Sequence, residues 1–158
     1  MVQYRIDSEG TVSVEGAVIT VEKSGFEGVL SRAKAPQYHA YDEAGNLLFS
    51  IKRHMFSNNP FYVVDAAGEP GSIKVSEGMS EMRMAYRIEG CGYGYQGDFI
   101  HGNIELLRDG APVAHLEARS TGEQTSVSVD AAGECTPAIL GIALAYGSII
   151  GYLLGMRQ

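Results

Sequence analysis

The stretch that decides the fold is Thr136-Pro137-Ala138-Ile139-Leu140-Gly141-Ile142-Ala143-Leu144-Ala145-Tyr146-Gly147-Ser148-Ile149-Ile150-Gly151-Tyr152-Leu153-Leu154. Thr136 suits an N-cap, because its hydroxyl can accept a hydrogen bond from a free N–H of the first turn. Pro137 suits the first helical position, where no N–H is needed. The helix that follows is apolar on every face, so it is buried, either in a protein core or in a bilayer. Cys135 to Met156 carries no charge, and all 19 acidic residues and 11 of the 12 basic ones precede it.

Two readings of this segment compete. Nineteen uncharged residues span about 28 Å at 1.5 Å per residue, enough for the hydrocarbon core of a membrane. Gly147, Gly151 and Gly155 recur every fourth residue, as at helix contacts within bilayers. A tail-anchored membrane protein using residues 136–155 is therefore one alternative. The other places the helix inside a β-barrel, where glycines let strands approach. Three features favour the barrel. The strands before it need a core, and no other segment has a 3.6-residue apolar period. Glycines at 141, 147, 151 and 155 lower helix propensity and insertion strength. Only Arg157 flanks the segment, so a positive-inside signal is thin. No stable membrane span is expected.

Working backward, the body reads as short strands with turn punctuation. Tyr38–Asp42 leads through Gly45-Asn46 to Leu47–Lys52; Phe61–Asp65 leads through Ala66-Ala67-Gly68 and Pro70-Gly71 to Ser72–Val75. Ile104–Arg108 leads through Asp109-Gly110 to Ala111–Leu116, and a fourth unit opens with Ser126–Asp130 before Gly133. Asp bonds the backbone two residues on, and Gly accepts a positive φ, so each unit predicts a β-hairpin turn. Thr11–Glu15 and Ala17–Val21, broken by Gly16, predict a further hairpin or a bulge. The spacing of the units is irregular, which excludes a solenoid or propeller. Successive hairpins build a meander, and closing the meander removes its edges. The expected class is mainly β: one antiparallel barrel domain over residues 1–158, with residues 136–155 its central helix.

The chain has 158 residues, 45% of them hydrophobic and 20% charged, with a net charge of −7. This size suits one domain and allows a core without disulfides. A pI near 5 argues against a nucleic-acid partner, since an acidic body repels phosphate backbones. No apolar run follows a basic N-terminus, so no secretory leader is read at Met1–Asp7. Cys91 and Cys135 are expected to be free thiols in a reducing compartment. His39, His54, His101 and His115 lack metal-ligand spacing, so no metal is expected.

Chemical motifs are few. Gly92-Tyr93-Gly94-Tyr95-Gln96-Gly97 satisfies G-x-G-x-x-G, but strand-like alternation follows where a dinucleotide fold needs a helix. It reads as a Gly/Tyr-rich loop. No nucleophile elbow, phosphate loop or deaminase signature occurs, so no enzyme and no cofactor are expected. The cations are more informative. Lys52, Arg53 and His54 end one hairpin strand, Lys74 holds the comparable place in the next, and Arg83 and Arg87 follow. Strands in register would set Lys52 and Lys74 side by side at ~4.8 Å spacing. With Arg53 they form the candidate site for an anion, since converging cations hold phosphate or carboxylate groups. Strand-end charges that discourage edge pairing are the competing explanation.

Gly45–Ser57, Tyr62–Gly68, Tyr86–Gly90, Asp109–Ala114 and Ser128–Asp130, followed by the apolar segment, resemble the LURP-one-related proteins. That family is grouped with tubby C-terminal domains and phospholipid scramblases, and the resemblance covers about residues 36–154. It implies a closed antiparallel barrel of about twelve strands around one C-terminal helix. It implies no enzyme activity. Tubby domains bind phosphoinositide headgroups through exterior lysines and arginines, and scramblase relatives associate with membranes. The expectation is a non-enzymatic cytoplasmic binding module, peripheral at the membrane, for an anionic phospholipid headgroup or another phosphorylated small molecule. A scaffold barrel with a protein partner is the alternative.

Overall fold

The computed structural model describes residues 1–24, 37–54, 61–80, 83–121 and 123–156. The stretch Met55-Phe56-Ser57 that carries part of the resemblance, and Arg157, lie outside them. The chain runs β1 (Val2–Asp7), β2 (Val12–Glu15), β3 (Ile19–Ser24), β4 (Gln37–Asp42), β5 (Leu47–His54) and β6 (Phe61–Ala66). It continues through β7 (Ile73–Ser80), β8 (Arg83–Glu89), β9 (Tyr93–Asp98), β10 (Asn103–Arg108), β11 (Ala111–Ser120), β12 (Gln124–Ala131) and α1 (Pro137–Met156).

The strands form two six-stranded antiparallel sheets, ordered β2-β1-β12-β11-β10-β9 and β3-β4-β5-β6-β7-β8. Among the described residues, hydrogen-bonded ladders run within each sheet and neither sheet closes on itself. Edge strands of the two nevertheless meet at two seams, β2 with β3 and β8 with β9. Side-chain hydroxyls tie across: Tyr95 Oη donates to the Tyr86 carbonyl at 2.7 Å, and Tyr38 Oη to the Gly10 carbonyl at 2.7 Å.

Three of the four Asp/Gly units are hairpins, joining β4 to β5, β6 to β7 and β10 to β11. At the tightest, Asp109 and Gly110 both take left-handed backbone, with φ of 51° and 83°. That is the two-residue turn whose twist suits flanking strands. At the first, Asp42 Oδ1 accepts the Asn46 amide at 2.8 Å. Hydrogen bonds from Asn46 to the ionised form hold the Asp42 carboxyl below its ordinary value. The fourth unit is not a hairpin, because β12 leads into α1.

The reading of residues 11–21 also needs correction. β2 and β3 do not pair; β2 pairs with β1, and β3 with β4. The chain passes between sheets at Gly16, whose φ is +89° and where a Cβ would lie 2.1 Å from the Met1 carbonyl oxygen. Residues 92–97 are likewise no loop. Tyr93–Asp98 is the edge strand β9, and a short turn leads from it to β10 rather than to a helix. A dinucleotide's pyrophosphate would find no helix N-terminus there.

Period-two patterning aims one face of every sheet inward. Val2, Tyr4 and Ile6 of β1, Leu116 and Ala118 of β11, and Val127 and Val129 of β12 are buried in one sheet. Phe49 and Ile51 of β5, Val64 of β6, and Ile73 and Val75 of β7 are buried in the other. Between them lies α1, against β11 and β12 on one side and β5, β6 and β7 on the other. Every residue from Ala138 to Gly147 is buried, which covers all faces of the helix. Thr136 Oγ1 accepts the Ile139 amide at 3.3 Å, as an N-cap should.

Gly141, Gly147 and Gly151 of the helix face strands. A Cβ at Gly141 would sit 2.6 Å from Val64 Cγ1, and one at Gly147 would sit 2.0 Å from Val127 Cγ2. No helix among the described residues is long and apolar enough to cross a membrane. The two tyrosine hydroxyls deepest in the core are satisfied. Tyr4 Oη donates to the Leu140 carbonyl at 3.1 Å and Tyr146 Oη to the Phe99 carbonyl at 2.8 Å, and burial pushes both phenols far up.

Candidate functional site

Strand alternation decides which cations share a surface. On β5, Phe49 and Ile51 point inward, so Ser50 and Lys52 point outward. On β6, Tyr62 and Val64 are buried, leaving Val63 and Asp65 outside; on β7, Ile73 and Val75 are buried, leaving Lys74 outside. The register pairs Lys52 with Val63, Val63 with Lys74, and Lys74 with Glu89. Lys52 and Lys74 therefore stand in one row on one face. They are not adjacent, because the β6 strand of the second hairpin inserts between them. Two strand spacings put their backbones about 10 Å apart, with Val63 as the floor.

Arg53 is on the other face. Its register partner is the buried Tyr62, its guanidinium carbon lies 5.7 Å from the centre of that ring, and its Nε is buried. It belongs to the inward side of the second sheet and does not join Lys52 and Lys74. Consecutive residues of a strand face opposite ways, so Lys52 and Arg53 cannot serve one outer site. Arg87 joins the outer face instead: its partner is Ser76, one row beyond Lys74, and it is exposed. On the opposite side of the lysine row lie Ser50 and Asp65, followed by Ser72 just before β7. Ser72 Oγ donates to Asp65 Oδ1 at 2.5 Å.

That row opens into a groove of about 490 Å³ lined by Leu47, Leu48, Ser50, Asp65, Pro70 and Ser72, among others. Its volume falls in the range of small-ligand sites. The groove's far wall is fixed by Glu69, whose two carboxylate oxygens accept from Arg108 Nη1 at 3.0 Å and Nη2 at 3.1 Å. Arg108 also lies 5.0 Å from the Tyr93 ring centre. This bidentate pair joins the β6–β7 turn to β10 of the other sheet, so the groove has a braced wall.

The first sheet presents different chemistry. Gln96, Glu105, His115 and Asp130 form one outer row across β9 to β12. His115 Nδ1 is 2.6 Å from Glu105 Oε1, and its Nε2 is 3.7 Å from Glu117 Oε1. Among the described residues, no group of three His, Cys, Asp or Glu side chains is placed to hold a metal ion. Both cysteines are free thiols, and Cys91 Sγ donates to the Gly71 carbonyl at 3.3 Å.

The sequence therefore located Lys52 and Lys74 on one surface, named Arg87 among the cations without placing it in the site, and missed Asp65, Ser50 and Ser72 as neighbours. Their signal was the hairpin register, which sets residues two apart on one face. No protein-family model, no curated protein and no solved structure matches this chain.

Proposed function

We propose that this chain is a non-enzymatic binding module of the tubby and LURP-one-related type. In this reading its two sheets join at both seams into a closed twelve-stranded barrel around α1. The uninterrupted strand order and the two edge-to-edge seams support closure, since an open sheet would leave edges that invite aggregation. The module acts in the cytoplasm, peripheral to a membrane, and its ligand is an anionic phospholipid headgroup or another phosphorylated small molecule.

One observation carries the ligand class: Lys52 and Lys74 lie in one outward row on either side of Val63. A phosphate oxygen set placed over Val63 meets an ammonium on each side, and Arg87 adds a third cation one row away. Lys52 and Arg87 are exposed and Lys74 is half-buried, so each contact is individually modest and binding weakens as salt rises.

Sedimentation with phosphoinositide-containing vesicles at low salt tests the reading. The expected result is association that falls at least tenfold in the double variant Lys52→Ala plus Lys74→Ala. Absence of association at low salt would exclude the lipid headgroup, and association indifferent to the double substitution would contradict the lysine site.

A further inference from the structure

The outer face is not purely cationic, and its mixture of signs narrows the ligand. Glu89 faces Lys74 across the ladder, and Asp65 stands two residues from Val63 on the same face of β6. A simple polyanion seated on Lys52 and Lys74 would meet repulsion from Asp65 about 6.6 Å along the strand. It would also approach a protein of net charge −7. A ligand that carries its own cation turns Asp65 from an opposing charge into a partner, and its smaller net charge lowers the long-range penalty.

We infer that the groove beside Lys52 and Lys74 binds a phosphorylated amine, with phosphate on the lysine row and the ammonium group against Asp65. This rests on the phosphate-binding reading above and deepens it. Three features of the groove fit the ammonium end. Asp65 lines it, as do the hydroxyl-bearing Ser50 and Ser72, which flank Asp65 on either side. An ammonium has three donors and needs several acceptors at once. The hydrogen bond from Ser72 fixes the Asp65 side chain, so little ordering remains to be lost on binding. Leu47, Leu48 and Pro70 wall the groove beyond Asp65, on the side away from Lys52 and Lys74, so the short carbon linker between the two charged ends lies over the sheet face between Val63 and Asp65. A headgroup with two carbons between phosphate and amine spans neighbouring rows of one sheet face. Such chemistry occurs in a free metabolite and in a lipid headgroup.

Calorimetric titration of the whole protein with O-phosphoethanolamine and with ethyl phosphate separates the charges. The expected result is about tenfold tighter binding of the amine-bearing compound. Asp65→Asn should abolish that tenfold preference and leave ethyl phosphate binding in place, because the residue is on the surface and Asn keeps an acceptor for Ser72. Lys52→Ala plus Lys74→Ala should weaken both compounds. Detergent micelles carrying phosphatidylethanolamine or phosphatidic acid repeat the comparison for lipids. An amine preference in the titration assigns a free ligand, and one confined to micelles assigns a headgroup. Equal binding of amine-bearing and amine-free compounds in both the titration and the micelles, or a preference that survives Asp65→Asn, overturns this inference while phosphate binding stands. Absence of binding to every phosphate probe overturns both.

Discussion

Leu144→Ala is expected to lower the free energy of unfolding by about 2–5 kcal/mol, a large share of the 5–15 kcal/mol typical of a domain. Leu144 is fully buried at the middle of α1, where strands of both sheets surround the helix. Removing its side chain loses transfer free energy and leaves a cavity. The β-sheets on either side are hydrogen-bonded frames and cannot collapse into that cavity as a loop would. Urea unfolding followed by circular dichroism measures the loss. A shift in midpoint without a change in slope would identify it as a stability change rather than a change in the unfolded chain.

Gly147→Ala should also destabilise, although alanine is the better helix former. The propensity gain is about 1 kcal/mol. Against it stands the 2.0 Å approach of the added Cβ to Val127 Cγ2, with Val127 itself fully buried on β12. Valine has one stiff torsion and cannot swing aside as a longer chain would. Overpacking of this kind costs up to about 3 kcal/mol, leaving a net loss of about 2 kcal/mol. Gly133→Ala is the control, because nothing lies within 4 Å of a Cβ there, and it should change stability by less than about 0.5 kcal/mol. Loss from both Leu144→Ala and Gly147→Ala marks a close-packed core. A lipid-facing segment would tolerate either change and would gain from the apolarity of the methyl group that Gly147→Ala adds.

How much of this was legible depends on whether the signal was local. The hairpin turn at Asp109-Gly110 and the helix start at Thr136-Pro137 are local backbone chemistry, and both occur where the sequence predicts them. The division into two sheets is not local. It turns on Gly16 passing against the Met1 carbonyl, a contact between the chain's beginning and the end of β2. The glycines of residues 92–97 suggest a loop, yet β10 offers a complete ladder and makes them an edge strand. Pairing overrode propensity there.

The candidate site shows the same division. That Lys52 and Arg53 face opposite sides follows from period two alone, yet weighing charge ahead of strand alternation placed them in one site. That Lys74 lies across β6 from Lys52 follows from the connectivity of two successive hairpins. The groove does not follow from either. Asp65 reads as a turn residue in the sequence, and only the fold places it beside Ser50 and Ser72 with the braced Glu69–Arg108 pair behind. The short motif supplied the charges; the register supplied their partners.

The central claim is that α1 is the core held between two sheets. Hydrogen exchange of the amides of Ile142 to Ile149 tests it most directly. Residues enclosed between both sheets should open only when the whole domain unfolds, so their exchange free energies should equal the global unfolding free energy and match those of Leu116 and Val127. Exchange of these helix amides far faster than that of the two strand residues would show a helix that detaches while the sheets persist, and would contradict the account.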